Sequence, residues 1–474
     1  MRCYVDQAPG SDFLQLDART APRRGRADWL QRSLRDGIFD GRLGAGVALP
    51  STRRLATDLA VARGVVVEAY ARLVEEGLIV SSARSGYAVA DGLVQTTDRP
   101  PQTPAATGLP VEFDLTPGRP DLGSFPRSEW LAAERAVLTD SEDAALGYGD
   151  PRGAARLRES LARWLATARG VRAEPERILI VSGVAQALAL IAQVAVRRGR
   201  SRIAVEDPGS HGAHHELAYW GATLCPVAVD SDGILASRLG GEHDLALVTP
   251  AHEFPLGVVL APDRRAELLA WARAHDALVI EDDYDAEHRF DRSPVPALQA
   301  SAPDHVMYAG STSKALAPAM RLGWLVATGS WLDDLTEAKY ASDLGSPTLA
   351  QLVLAELIES GRYNKHLRSV RSVLRERRDA AVAAIHRHLP EATIDGVAAG
   401  LHLVVTASGI DDVRWSERAR ELGVVVQPLS KHRHSPGSPG LVIGYATTSP
   451  GRLDEAIRRI ATAGESAVEQ ASPA

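Results

Sequence analysis

The sequence predicts an α/β chain of two unequal parts: a small arginine-rich module of three short helices and a β-hairpin, then a large body built on a mostly parallel sheet. Three observations carry this. Up to about residue 90, apolar residues recur first at helical spacing and then in two short β-like runs. A stretch rich in Pro, Thr, Gly and Ala follows ("DGLVQTTDRPPQTPAATGLP"), and beyond it short apolar runs alternate with helical patterns. With 474 residues, 45% of them hydrophobic, the chain can bury more than one core.

In the first part, "WLQRSLRDGIFDGRL" sets Leu30, Leu34, Ile38 and Leu43 near helical spacing, and Gly41 with "GAGVALP" ends the pattern. Ser51 is the expected N-cap of "TRRLATDLA", where Leu55 and Leu59 stand one turn apart. A third helix, "VVVEAYARLVEEG", puts Val66, Tyr70 and Leu73 on one face and stops at Gly77. "LIVSSARSGYAVA" reads as two β-runs around a turn containing Arg84, Ser85 and Gly86. Three helices and a hairpin make a winged helix-turn-helix, expected over 15–92, with a linker at 93–111 and the body at 112–465.

Charge divides the same way. From Arg19 to Val89 there are 12 arginines and 7 acidic residues, so this segment carries +5 and the rest of a chain of net charge −7 carries −12. Double-stranded DNA is therefore the expected partner of the module, not of the body. Arg53, Arg54 and Arg63 fall at the starts of the second and third helices, where phosphates and base edges are met, and Arg84 falls at the hairpin tip, where a wing enters the minor groove. The plainer alternative, a helical packing domain, leaves that placement unexplained. Two cysteines, Cys3 and Cys225, make no disulfide framework, and "MRCYVDQAPGSDF" has no apolar signal core, so a reducing cytoplasm is expected. The uncharged run Ile178–Val196 contains Ser182, Gly183, Gln186 and Gln193 and reads as strand, glycine turn and helix; no membrane partner and no metal site are expected.

In the body, "RILIVSG", "RIAVEDP", "LALVTP", "LVIEDDY", "VMYAG" and "LGWLVATG" imply a sheet with helices on both faces, whose ligand lies at the strands' carboxyl ends. Lysine is scarce, with four against 49 arginines, yet Lys314 stands at such an end, in "YAGSTSKALAPAMRLGW". An amine can form an imine with an aldehyde cofactor, whereas a guanidinium is never deprotonated. Asp282 suits a protonated pyridine nitrogen and Tyr284 a ring phenolate. The N–H groups of Gly183, Val184 and Ala185 at a helix start, with Ser311, Ser313 and Arg321, suit a phosphate. Singly, these read as a solvated lysine, an acidic turn and ordinary glycine turns. Their order along the chain separates them from that reading.

That order, Asp282-x-Tyr284 followed by Ser-x-Ser-Lys at Lys314 and then Arg321, resembles a fold-type I PLP-dependent aminotransferase from Phe113 to about Ala463, together with "PGRPD", "FPRSEW", "YGDPRG", "EDP" and "TPAHEFPLG". The first part resembles a GntR-type winged helix through Leu49-Pro-Ser-Thr-Arg53, Ala62-Arg63, Ala69-Tyr70 and Glu76-Gly77. Both parts in this order resemble the MocR/GabR-type transcriptional regulators. The resemblance implies pyridoxal 5′-phosphate on Lys314, His252 near the cofactor phenolate, and operator contacts through Ser51, Thr52 and the arginines named above. It also implies a head-to-tail homodimer with each winged helix against its partner's large domain, responding to the cofactor or to a small amino compound.

The chain departs from that pattern at several positions. Ala62, Gly64, Val65 and Glu68 replace the usual Ser, Asn, Thr and Arg of the recognition helix, leaving specificity to Arg53, Arg63 and the wing. Ser210 replaces a ring-stacking Tyr, with His211 and His214 read as part of a solvated turn; Glu253 and Leu256 replace Gln and Thr. Val442, in "GLVIGYA", replaces the arginine that clamps a substrate carboxylate. The first reading is a regulator sensing pyridoxal phosphate, as in vitamin B6 homeostasis, or a small amino compound, with its aminotransferase fold used as a sensor. An active aminotransferase with an accessory DNA-binding module is the alternative. Ser210 alone suggests a third, a DNA-binding protein that has lost its cofactor.

Overall fold

The computed structural model describes residues 21, 22, 24–82, 86–91, 110–290 and 295–469. Arg84, Ser85 and most of the expected linker lie outside the described residues. The chain divides into two compact units, Met1–Thr107 and Gly108–Ala474.

In the first unit, helices Arg26–Phe39, Thr52–Asp58 and Arg63–Glu75 pack with a sheet of three antiparallel strands in the order Ala48–Leu49, Gly86–Val89, Ile79–Ser82. The strand Ala48–Leu49 escapes the sequence because two residues show no alternation; it pairs with Ala88 and Tyr87. Leu43 lies beyond the first helix yet is fully buried with Leu30, Leu34 and Ile38, so its apparent helical spacing reflects a shared core and not a shared helix. Ser51 caps the second helix as expected, its hydroxyl accepting from Arg54 N at 3.3 Å. Tyr70 fills the core, donates to Pro50 O at 2.9 Å and meets Tyr87 edge-on at 4.7 Å.

The second unit is built on eight strands in the order Ile178–Val181, Gly323–Val326, Val306–Ser311, Leu278–Asp283, Leu245–Val248, Arg202–Asp207, Thr223–Asp230, Gly233–Ile234. Fully buried strands such as Ile178–Val181 read as unbroken apolar runs because both faces are covered. Six strands share one direction. Gly323–Val326 runs antiparallel to both neighbours and Gly233–Ile234 to its own, so the sheet is mostly parallel, as expected, with two reversed strands whose direction the sequence did not specify. Residues 312–322 hold one short 3₁₀ turn, too little for a crossover helix, and the strand returns beside its predecessor. Thr223–Asp230 was not among the expected runs, since Pro226 and exposed residues break its pattern. A second, four-stranded antiparallel sheet, Thr393–Asp395, His402–Thr406, Gly440–Gly444 and Gln427–Pro428, packs with helices Arg362–His388 and Pro450–Glu469. Among the described residues no helix is long and apolar enough to cross a membrane.

The parallel strands Ile178–Val181, Leu278–Asp283 and Val306–Ser311 end on the same side of the sheet. Residues separated by more than a hundred positions therefore meet there, at the place where open α/β sheets take ligands.

Candidate functional site

A cavity of about 360 Å³ opens at these strand ends, within the range that encloses small molecules. Lys314 lines it. Its amine donates to Gly118 O, and Gly118 has φ +73°, a backbone conformation suited to glycine; an added Cβ would lie 3.4 Å from Nζ. Burial lowers the amine's pKa and outweighs the opposing pull of Asp285 and Asp282. Two histidines hold the lysine loop from behind, His288 Nε2 to Lys314 O at 3.3 Å and His366 Nε2 to Ala315 O at 2.8 Å. A carbonyl only accepts, so both imidazoles carry their proton on Nε2.

Asp282 and Asp283 alternate across the last strand residues and meet different surroundings. Asp283 turns to Arg169 at 2.6 Å, both side chains 2% exposed, and also accepts from the Tyr308 hydroxyl. Asp282 lines the cavity with a buried Oδ1 that has no partner, and burial together with Asp283 pushes its carboxyl up to about 7 against the opposing pull of Lys314. Such an oxygen has space for a cationic hydrogen-bond donor from a ligand.

Tyr284 also lines the cavity, and its oxygen lies 3.0 Å from His252 Nδ1. The same nitrogen lies 3.0 Å from Asp285 Oδ2. A carboxylate only accepts, so Nδ1 bears the proton and the Tyr284 oxygen sits beside it as a second acceptor, while the Tyr284 hydroxyl is itself hydrogen-bonded to Asp285. His252 itself does not line the cavity: it is 4% exposed behind Tyr284, and Phe254 takes the wall position expected for it. Its effect on a ligand passes through Tyr284.

At the opposite wall, Gly183 precedes the helix Val184–Arg197 with φ +126° and no side-chain cap, so Val184 and Ala185 form an open helix start. Arg321 Nη1 lies 3.8 Å from where a Gly183 Cβ would stand. Arg321 adopts a left-handed backbone at φ +49°, costing about 1–3 kcal/mol for a residue with a side chain. Ser311 and Ser313 complete this wall, with Ser313 N bonded to Ser311 Oγ at 3.3 Å. A helix start, a guanidinium and hydroxyls make an anion seat.

Other expectations are corrected. Ser210 caps the helix His211–Tyr219 through Ala213 N at 3.4 Å, and the expected solvated turn is this helix. His214 is buried against His434, Nδ1 to Nε2 3.1 Å, while His211 is exposed; neither lines the cavity. Val442 is fully buried with Val404, Leu429 and Leu256, an apolar surrounding with no room for a solvated charge. Arg119, which pairs with Asp114, and Arg289 are both absent from the cavity lining, so neither replaces the guanidinium that Val442 lacks there. Glu216, Phe254 and Thr249 were missed. Thr249 follows the strand Leu245–Val248 directly, so the strand-end rule could have found it; Glu216, in mid-helix, carries no such signal.

In the first unit, Ser51 and Thr52 open the second helix and Arg53, Arg54 and Arg63 are exposed. Arg63 Nε lies 3.4 Å from Thr52 Oγ1, which brings the starts of the second and third helices together on one surface. No cluster of three or more metal-ligating side chains occurs among the described residues.

Comparison with known proteins places both units. Residues 27–89 match the bacterial regulatory proteins of the gntR family and residues 113–460 match aminotransferase class I and II. The chain is 33% identical to a probable rhizopine catabolism regulatory protein, MocR, of Rhizobium meliloti, covering 92% of each. It is 31% identical to the HTH-type pyridoxine biosynthesis transcriptional regulator PdxR of Corynebacterium glutamicum, covering 88% of this chain and 91% of that one. Among solved structures, an archaeal alanine:glyoxylate aminotransferase aligns with a TM-score of 0.70 at 25% identity, over 76% of this chain and 92% of its own. A kynurenine aminotransferase of Pyrococcus horikoshii aligns with the same TM-score at 26% identity, over the same shares. With a DNA-binding winged helix at one end, a fold-type I aminotransferase-like body at the other, and relatives matched across nearly their whole length, the chain belongs to the MocR/GabR-type transcriptional regulators.

Proposed function

We propose that this regulator holds pyridoxal 5′-phosphate in the cavity and couples its occupancy to operator binding. The observation that carries this is the buried, unpartnered Asp282 Oδ1 in the same cavity as Lys314, one of four lysines in the chain. Lys314 would hold the aldehyde, Asp282 the ring nitrogen, Tyr284 the phenolate, and Gly183, Val184, Ala185, Ser311, Ser313 and Arg321 the phosphate. Bound there, the cofactor supplies an electrophilic carbonyl carbon and an electron-withdrawing ring. Asp282 keeps that ring protonated, the Tyr284 hydroxyl orients it, and the helix start balances the phosphate charge.

The sensing role, in preference to transamination, draws its support from Val442: its apolar cluster offers no guanidinium to a substrate carboxylate. A buried carboxylate without its charged partner costs about 2–5 kcal/mol, a factor of about 30 to several thousand in affinity. The name of the Corynebacterium relative, a pyridoxine biosynthesis regulator, agrees with the cofactor itself as effector. DNA contact is assigned to Ser51, Thr52, Arg53, Arg54, Arg63 and Arg84. A head-to-tail homodimer is part of the proposal, carried over from the resemblance to the MocR/GabR-type regulators.

The test is operator binding measured with cofactor-free protein, with added pyridoxal phosphate, and with cofactor plus a panel of amino acids. The expected result is a shift with the cofactor alone. Indifference to the cofactor, together with a response to one amino acid that also changes the cofactor's visible spectrum, would overturn the sensing role and restore the aminotransferase-type reading.

A further inference from the structure

We infer that Gln186, held in place by Asp343 and Lys339, is a positioning residue for the anion seat and sets how strongly the cavity distinguishes a phosphate-bearing ligand from the same ligand without phosphate. This rests on the phosphate seat of the proposed function. Gln186 is the third residue of the helix Val184–Arg197, the position from which a side chain can reach back over the helix start. Its Oε1 accepts from Ser182 N at 2.8 Å and lies 3.2 Å from Ser182 Oγ. Its Nε2 donates to Asp343 Oδ2 at 2.8 Å. A backbone N–H only donates and a carboxylate only accepts, so the amide has one orientation.

Asp343 is fixed in turn. Lys339 Nζ donates to its two oxygens at 2.6 and 2.7 Å and Gly345 N to Oδ1 at 3.0 Å. The Lys339 side chain is fully buried, so it has no alternative partner in water. Burial tends to raise the Asp343 carboxyl, but hydrogen bonds from Gln186 and Lys339 outweigh it and keep the group ionised. The chain of contacts thus runs from the end of the helix Leu332–Asp343 to the turn that places Gly183, Val184 and Ala185 on the cavity wall.

Two consequences follow for an anion. Ser182, tied to Gln186, is not among the cavity-lining residues and precedes the turn that Gly183 makes at φ +126°. The cap is also electrically neutral: Lys339 balances Asp343, and position 186 carries an amide where a capping box would equally accept Glu. A carboxylate there would face Asp343 and oppose a phosphate at the adjacent helix start.

The experiment compares dissociation constants for pyridoxal phosphate and pyridoxal, which share the aldehyde and differ in the phosphate, in the wild type, Gln186→Ala and Gln186→Glu. Gln186→Ala is expected to weaken pyridoxal phosphate by about two- to thirtyfold, the span of one helix-cap hydrogen bond, while pyridoxal stays within about twofold. Gln186→Glu is expected to lose more, again on pyridoxal phosphate only. A parallel fall for both ligands, or no change for either, overturns the inference. If Gln186→Ala does not fold, Gln186→Glu, similar in size and helix propensity, decides by the same ratio. A wild type that binds neither ligand refutes the cofactor proposal itself, a result distinct from either variant outcome.

Discussion

Asp282→Asn tests whether the cavity is built to receive a cationic donor. In the folded, ligand-free protein the Asp282 carboxyl is pushed up to about 7 by burial and by Asp283, whereas in the unfolded chain it ionises near its ordinary value of about 4. The folded state therefore binds more protons between these values, so the stability this group contributes is fully present below about pH 4 and is lost as pH rises toward 7. About three pKa units at about 1.4 kcal/mol each set an upper figure of about 4 kcal/mol at pH 8, and about 2–4 kcal/mol is expected. Asparagine has no proton to lose. Urea unfolding of cofactor-free protein should show the variant gaining on the wild type by about 1 kcal/mol per pH unit from pH 5 to 7, with no further gain above that. Pyridoxal phosphate at a hundred times its dissociation constant should then stabilise the wild type by about 2.7 kcal/mol and the variant by much less. A variant that is less stable than the wild type at pH 8 without cofactor, or a gain that does not grow with pH, would refute the claim that an unpaired buried charge is held there.

Borohydride reduction in the presence of pyridoxal phosphate should leave a mass tag on Lys314, and Lys314→Ala should abolish it; a tag retained elsewhere assigns the cofactor to another lysine. Substituting Arg53, Arg63 and Arg84 together by Ala should abolish binding to the upstream region of the protein's own gene, and removing any one arginine that neutralises a phosphate should reduce the log–log salt slope by about 0.9. A base-reading arginine would instead cost about 1–3 kcal/mol and relax one position. Arg169→Met removes the guanidinium partner of the buried Asp283 and leaves the Tyr308 hydroxyl, and should cost about 3–5 kcal/mol in urea unfolding; a loss under about 1 kcal/mol would refute the reading that Asp283 depends on this buried pair.

The two-part organisation, the helix-turn-helix and most strands of the large sheet could be read from the sequence because each rests on local spacing: Leu30 to Ile38 on one helical face, or the unbroken run Ile178–Val181. Lys314, Asp282, Tyr284 and Gly183 could be read because strand ends are local features, and parallel strands bring their ends to one side. The sequence did not reveal the reversed strand Gly323–Val326, whose direction depends on the length of the connection before it, nor the two-residue strand Ala48–Leu49, whose only support is its neighbour. His252 was assigned to the ligand by its place in a motif, but depth is a tertiary property, and Tyr284 and Phe254 stand in front of it. The unpartnered Asp282 oxygen, the apolar surroundings of Val442 and the hydrogen bond between Gln186 and Asp343 were decided only by folding. Each depends on residues tens to hundreds of positions apart, and spacing along a chain carries no record of which distant side chains come within 3 Å of one another once the sheet has formed.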